Sequence, residues 1–308
     1  MKKVLILTDG KAGHENQSKA FARGLGYEFE LRPVSFKSKF AKSLSYLFDR
    51  LGIRTLSLFT DLSVTSDMKD AYAAVVGTGS GTFYAAKALA KKLGVACGVV
   101  LYPRGYDLAS FDCILAPGFD NPVDAPNVVK IPANLVAADA AFYETGTKAF
   151  LERHTPQKDA VAVIVGGPNK CSTMSADWMK AELEKIFKEQ AGREFWVTTS
   201  RRTPPDVEAV VDSFPFDYKL LYSKDHFNPI PAFVSQAKVL YVTAESTGML
   251  SESCTFGSAE VRALDNLNPS PHKFRRFVEG LVEQGFVNGS RKIDLTDAFA
   301  MAKHLLGL

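Results

Sequence analysis

The segment Tyr241-Val-Thr-Ala-Glu-Ser-Thr-Gly-Met-Leu-Ser-Glu252 passes from a predicted buried strand into a predicted helix. The hydroxyl residues at the junction are of the types that favour helix N-caps. The free N–H groups at the start of such a helix attract anions, and a carboxylate further along it is suited to a ribose diol. This order predicts a nucleotide-sugar site, although an ordinary capped strand–helix junction has the same pattern. The residues assigned to the site here are Thr243, Ser246, Thr247 and Glu252.

Size and composition indicate a globular protein with more than one domain. The chain has 308 residues, 46% of them hydrophobic and 23% charged, with a net charge of +3. A length of this order favours two domains, and the mild charge without a Lys/Arg block gives no indication of a nucleic-acid partner. The four cysteines are scattered without zinc-ligand spacing, so we expect no metal site and a cytoplasmic protein.

Short apolar strands alternate with amphipathic helices along the whole chain, which is typical of parallel sheets covered on both faces. The alternation restarts after the polar, Pro-containing stretch 152–159. We therefore predict an α/β fold of two Rossmann-like domains, 1–154 and 155–292, with parallel sheets facing a central cleft. The C-terminal helix, 293–308, is expected to pack back on the first domain.

The loop after the first strand, Thr8-Asp-Gly-Lys-Ala-Gly-His-Glu-Asn-Gln17, is dense in residues that carry chemistry. Gly10 and Gly13 allow a sharp turn and a close approach to a ligand, and His14 at a helix start is a candidate general base. Asp9 is the candidate partner that orients His14. A capped turn with a solvated His is the alternative. A second loop, Gly77-Thr-Gly-Ser-Gly-Thr82, is a candidate for holding an anion or a hydroxyl.

Two loops of the second half carry an anion-binding pattern. Gly166-Gly-Pro-Asn-Lys170 follows one predicted strand, and Thr198-Thr-Ser-Arg-Arg-Thr-Pro-Pro205 ends the next. Paired arginines beside hydroxyls are suited to a diphosphate. Together with the 241–252 segment, these loops are expected to converge on one site. Their candidate binding residues are Gly167, Lys170, Ser200 and Arg201.

The stretch 36–62 contains a basic amphipathic helix with Phe40, Leu44, Leu47, Phe48 and Leu51 on one face. Such a helix either packs its apolar face on its own sheet or lies on an anionic membrane surface. Both readings stay open from sequence.

These motifs together resemble the Elm family, named for a plant mitochondrial-fission factor. Its bacterial members are labelled nucleoside-diphosphate-sugar epimerases, and the family is similar to GT-B glycosyltransferases. The resemblance implies a catalytic loop at Gly10, Gly13 and His14 and a donor site at Gly167, Arg201, Ser246 and Glu252. The family commonly has Asp where this chain has Glu245.

The expected function is transfer of a glycosyl group from a nucleotide sugar to an acceptor hydroxyl, with the nucleotide sugar as substrate and no cofactor. A GT-B-fold epimerase without nicotinamide is one alternative. A non-enzymatic, membrane-recruited protein of the Elm type is another, with peripheral contact through 36–62 at the inner face of the membrane.

Overall fold

The structure is a computed structural model that describes residues 2–60, 62–65 and 68–308. Four positions of the predicted first domain lie outside the described residues: 1, 61, 66 and 67. Position 61 also belongs to the 36–62 stretch. Contacts divide the described chain into two compact units. The first is Met1–Ala137 with Asp294–Leu308, and the second is Ala138–Ile293.

The first unit alternates strands and helices. In chain order its elements are β1 (Lys3–Thr8), α1 (Ala12–Gly24), β2 (Phe29–Pro33), β3 (Ser35–Phe36), α2 (Lys39–Arg50), β4 (Phe59–Thr60), α3 (Met68–Ala71), β5 (Tyr72–Thr78), α4 (Phe83–Leu93), β6 (Ala96–Val100), β7 (Cys113–Pro117) and β8 (Val128–Ile131). Within the described residues, six of the strands form a parallel sheet in the order β2-β1-β5-β6-β7-β8. The short β3 and β4 pair antiparallel beside it.

Strand β1 shows why this sheet is buried on both faces. Leu5 and Leu7 belong to one apolar cluster, and Val4 and Ile6 belong to another. Successive side chains of a strand point to opposite faces, so a continuous apolar run requires a cover on each side. The apolar runs of the sequence therefore predict the parallel α/β class correctly.

The second unit repeats the same architecture. Its elements are α5 (Ala140–Leu151), β9 (Ala160–Ile164), α6 (Ala176–Glu189), β10 (Glu194–Thr198), α7 (Pro205–Ser213), β11 (Tyr218–Leu220), α8 (Ile230–Gln236), β12 (Val239–Thr243), α9 (Thr247–Thr255), β13 (Glu260–Leu264) and α10 (Lys273–Glu283). Five of the described strands form a parallel sheet in the order β11-β10-β9-β12-β13. Consequently the loops after β10, β9 and β12 leave the same edge of the sheet side by side.

The boundary between the units precedes α5 and so differs from the predicted 154/155. Phe150 of α5 is fully buried and packs against Trp196 and Phe233, with ring centroids 5.0 and 5.9 Å away. Glu194 accepts hydrogen bonds from the N–H groups of Gln157 and Lys158. The polar stretch 152–159 is thus a loop of the second unit, because its backbone is tied to β10.

The last helix, α11 (Thr296–Leu305), belongs to the first unit. Its Phe299 lies over Gly24, where a Cβ atom would come within 2.2 Å of the ring. No helix in the described parts of the chain combines the length and the apolar character needed to cross a membrane.

Candidate functional site

His14 and Asp9 form a hydrogen-bonded pair at the carboxyl end of β1. His14 lies in the first turn of α1, and its Nδ1 is 3.1 Å from both Oδ1 and Oδ2 of Asp9. An ionised carboxylate only accepts hydrogen bonds, so the neutral imidazole carries its proton on Nδ1 and leaves Nε2 as an acceptor. The His14 side chain is 24% exposed, which leaves the ring open to a ligand.

The pKa of Asp9 is set by opposing effects. Burial acts to raise it, but hydrogen bonds from Lys11 and the nearby His14 outweigh burial and hold the pKa below its ordinary value. Asp9 is therefore a carboxylate at neutral pH, as an orienting partner for an imidazole must be.

The glycine loop after β5 supports this pair. A Cβ at Gly79 would lie 2.3 Å from Cε1 of His14, and one at Gly81 would lie 2.8 Å from Cβ of Asp9. Gly79 also has a φ of +81°. The Gly-x-Gly spacing therefore makes room for the two side chains, a role that the sequence analysis missed. The signal was present in the spacing, but only the pairing of β1 with β5 shows which residues fill the space.

Gly10 and Gly13 differ in backbone conformation. Gly10 has a φ of +77°, a conformation that glycine adopts readily, and its N–H donates to Thr8 Oγ1. Gly13 has no positive φ, and a Cβ there would meet nothing within 4 Å. Gly13 therefore leaves free space at the start of α1 beside His14.

In the second unit, the loops after β10, β9 and β12 are hydrogen-bonded to one another. Thr203 Oγ1 donates to the carbonyl of Gly166 at 2.5 Å, and the Gly166 N–H donates to Thr243 Oγ1 at 2.9 Å. The three segments that the sequence predicted to converge are thus joined at one edge of the sheet. Ser200 shapes its own turn, since its Oγ accepts from the Arg202 N–H.

Glu245 is the centre of the buried network beneath these loops. Only 2% of the residue is exposed. Its carboxylate accepts hydrogen bonds from the Gly167 N–H at 2.7 Å, Thr243 Oγ1 at 3.1 Å and Asn266 Nδ2 at 2.8 Å. Charge-assisted bonds of this kind are the strong ones, so Glu245 holds the loops in place from inside the unit.

This network revises the predicted roles of Gly167 and Thr243. The Gly167 N–H is already bound to Glu245, and the Thr243 hydroxyl is fully buried and hydrogen-bonded at both ends. A Cβ at Gly167 would lie 2.2 Å from the Arg202 carbonyl oxygen. Both residues therefore shape the loops from within, because their polar groups are occupied by the protein itself.

The N-terminus of α9 is open. Ser246 is the N-cap and its side chain makes no capping hydrogen bond. The Thr247 N–H donates to the Glu245 carbonyl, whereas the N–H groups of Gly248 and Met249 have no partner among the described residues. A Cβ at Gly248 would meet nothing within 4 Å. This helix start therefore offers free donors and space to an anion.

Three exposed cations occupy the neighbouring loops: Lys170, Arg201 and Arg202. Within the described part of the chain, none of their side chains has an ion-pair or hydrogen-bond partner. Lys170 follows β9 and the arginines follow β10, so all three lie on the edge that carries α9. Of these, Lys170 and Arg201 are residues that the sequence assigned to the site.

Glu252 lies in the second turn of α9 and is held by Tyr143 of α5. Tyr143 donates its hydroxyl hydrogen to Glu252 Oε1 at 2.9 Å. Burial raises the pKa of Glu252, and the bond from Tyr143 acts in the opposite direction. The sequence analysis missed Tyr143, because it assigned residues 140–151 to the other domain.

The comparison with sequence families identifies the chain. The family described as mitochondrial fission ELM1 matches residues 12–301. This chain belongs to that family. An uncharacterized protein of Rickettsia prowazekii (strain Madrid E) is 33% identical over 143 residues, which make up 44% of this chain and 40% of that protein. The chain thus matches less than half the length of this curated relative.

Solved structures show the same fold at low sequence identity. A Listeria monocytogenes protein assigned provisionally as UDP-N-acetylglucosamine 2-epimerase has a TM-score of 0.56 and 12% identity, covering 100% of this chain and 89% of its own. The UDP-GlcNAc 2-epimerase of Methanocaldococcus jannaschii has a TM-score of 0.52 and 12% identity, covering 99% and 98%. These likenesses and the two parallel-sheet units show that the family member has a GT-B fold, as the sequence predicted.

Proposed function

We propose that the second unit of this ELM1-family protein binds the diphosphate of a nucleotide sugar. The observation that carries the proposal is the open N-terminus of α9 on the same sheet edge as the unpaired cations Lys170, Arg201 and Arg202. The fold of the neighbours, which are named for an activity on UDP-GlcNAc, supports the same ligand class.

Each group has a distinct role in this proposal. The N–H groups of Gly248 and Met249 donate to one phosphate, supported by the helix dipole. Arg201 donates to phosphate oxygens in a bidentate manner. Glu252 accepts from the ribose hydroxyls through Oε2, since Oε1 is bound to Tyr143.

We infer that His14 is the general base in transfer of the sugar to an acceptor hydroxyl. Nε2 takes the proton of that hydroxyl while its oxygen attacks the anomeric carbon. The bond from the anomeric carbon to the diphosphate breaks with its electron pair, and the nucleoside diphosphate leaves. Attack opposite the leaving group inverts the anomeric configuration. Asp9 stabilises the imidazolium that forms, as its short contacts with Nδ1 allow.

Epimerisation of the nucleotide sugar is the second candidate, because the two solved structures compared above are named as 2-epimerases, one of them provisionally. A base at His14 serves that reaction equally well. Proton NMR of UDP-GlcNAc incubated with the protein and no acceptor separates the two. A new sugar epimer supports epimerisation, whereas an unchanged sugar together with turnover in the presence of an acceptor supports transfer.

Isothermal titration with UDP-, GDP-, CMP- and ADP-sugars tests the binding proposal. At least one is expected to bind, and Arg201→Ala is expected to weaken that binding by about ten- to a hundredfold, as loss of a hydrogen bond to a charged group implies. Lys188→Ala is the matched control, since Lys188 is an exposed cation of the same unit on α6. No binding by any nucleotide sugar, or equal effects of the two substitutions, refutes the proposal.

A further inference from the structure

Helix α2 of the first unit, with its C-cap Leu51, presents three large apolar residues to solvent. Phe40 is 75% exposed, Leu47 51% and Leu51 64%. Their spacing of seven and four residues places them in one stripe along the helix, here called the α2 apolar face. The fully buried side of the helix carries Ala41, Ser45 and Asp49. Leu44 and Phe48, which were predicted to share the face, are half-buried and pack against the core of the first unit. Of the two alternatives left open by the sequence, packing on the core therefore holds for these two residues and not for the three exposed ones.

The orientation of α2 is fixed by a buried charge cluster. Asp49 is 2% exposed and lies 2.8 and 3.0 Å from Nζ of Lys87, which is equally buried. Asp49 also accepts from the Asp107 N–H and pairs with Arg54 at 3.3 Å. Turning the helix to bury the α2 apolar face would leave Lys87 charged and unpaired in the interior, which is strongly unfavourable. The face consequently stays outward.

The exposed charged residues of α2 and of the segments that flank it in the sequence, 35–60, are all positive. Between residues 35 and 60 the sequence has five cations and one acid, and that acid is the buried Asp49. Lys37, Lys39 and Arg50 are exposed, and Lys39 and Arg50 lie on one flank of the apolar stripe. An apolar stripe with a cationic flank complements an anionic lipid surface, in which apolar side chains enter the acyl boundary and cations meet the headgroups.

We propose that α2 docks this protein on an anionic bilayer through Phe40, Leu47 and Leu51, with Lys39 and Arg50 on the headgroups. The contact is peripheral, since it uses one face of a twelve-residue helix. It is independent of the nucleotide-sugar site, which lies in the other unit.

Co-sedimentation with vesicles tests the proposal. The full chain is expected to bind phosphatidylcholine vesicles that contain phosphatidylglycerol and to bind phosphatidylcholine alone far more weakly, with salt reducing the difference. The combined change Phe40→Gln, Leu47→Gln and Leu51→Gln is expected to lower binding at least about a hundredfold. The matched control combines Val123→Gln and Met301→Gln, which alter side chains that are 50% and 51% exposed elsewhere in the same unit.

Charge is tested separately by combining Lys39→Glu with Arg50→Glu, which is expected to weaken binding by about fivefold or more for each charge reversed. Lys158→Glu with Lys188→Glu is the control, since both are exposed cations of the second unit. Unchanged thermal melting shows that the variants fold, and unchanged nucleotide-sugar titration shows that the second unit is intact.

Three outcomes overturn the proposal. The wild-type chain fails to bind anionic vesicles, it binds neutral vesicles equally, or the triple change leaves binding as it was. Sedimentation equilibrium adds a fourth: a wild-type dimer that the triple change dissociates assigns the α2 apolar face to a second copy of the chain.

Discussion

The close approach of Gly166 to Glu245 allows a double-substitution test of the buried network under the loops after β9, β10 and β12. A Cβ at Gly166 would lie 2.1 Å from Glu245 Oε1, so Gly166→Ala displaces a carboxylate that accepts three hydrogen bonds. Hydrogen bonds to charged groups contribute about 1.5–3 kcal/mol, and we expect a loss of that order. Glu245→Asp shortens the side chain by one methylene and leaves the buried Gly167 N–H without an acceptor. This should lower the free energy of unfolding by about 1–3 kcal/mol.

The losses in free energy of unfolding caused by the two substitutions should not be additive. The shorter carboxylate of the Glu245→Asp protein withdraws from the space that the methyl group introduced by Gly166→Ala would take, so Gly166→Ala costs less in that background. We expect a coupling energy of about 1–2 kcal/mol, within the range for residues in contact.

The assay is urea unfolding followed by tryptophan fluorescence. The two tryptophans of the chain, Trp178 and Trp196, both lie in the second unit, so the signal reports that unit. Gly13→Ala is the control, because a Cβ there meets nothing within 4 Å and the residue lies in the other unit. Free energies that add to within about 0.5 kcal/mol refute the proposed contact.

Further predictions concern the carboxylates and their partners. His14→Ala should lower turnover by about a hundred- to ten-thousandfold, while donor affinity measured by titration calorimetry stays nearly unchanged. An equal loss of turnover and of donor affinity would contradict the role of His14 as the base. Asp9→Asn should also lower turnover without weakening donor binding, and unchanged turnover would contradict an orienting role. Tyr143→Phe removes the hydrogen bond that opposes burial, so carbon NMR titration should show the pKa of Glu252 rising further; a fall would contradict this. Burial acts to raise the pKa of Glu194, but hydrogen bonds led by those from Trp196 and His154 hold it below its ordinary value. The stability that this lowered pKa provides is present above the unfolded pKa of about 4.3 and is lost as the pH falls through the folded pKa. In acid unfolding followed by fluorescence, Glu194→Gln should therefore flatten the dependence of stability on pH in this range, and an unchanged curve would count against it.

Local sequence patterns predicted the class of fold and the convergence of the three candidate loops of the second unit. Apolar runs such as Val4–Leu7 require cover on both faces, which produces a parallel sheet with helices on each side. Candidate loops followed from the ends of those runs, since polar residues that succeed a buried strand lie at one edge of the sheet. The pairing of β9 with β10 and β12 then placed Lys170, Arg201 and Ser246 on neighbouring loops.

Other features depended on partners far apart in the sequence. The domain boundary was predicted at 154/155 because 152–159 is polar, but Phe150 joins an aromatic cluster of the second unit and moves the boundary before α5. The sequence left open whether α2 buries its apolar face. In the structure Asp49 faces the interior and pairs with Lys87, so Leu44 and Phe48 pack on the core while Phe40, Leu47 and Leu51 stay exposed. Periodicity records which residues share a face and carries no information about which face meets the core.

For the segment 241–252, the sequence by itself determined a buried strand, a turn of small residues and a helix with a free N-terminus, because these depend on residues close together in the chain. Only the tertiary structure decided which of its polar groups bond within the protein and which remain free for a ligand. The side chains of Thr243 and Glu245 are hydrogen-bonded to Gly166, Gly167 and Asn266. The start of the helix at Gly248 remains open. A polar group bonded inside the fold is not available to a ligand, and only three-dimensional contacts reveal which groups those are.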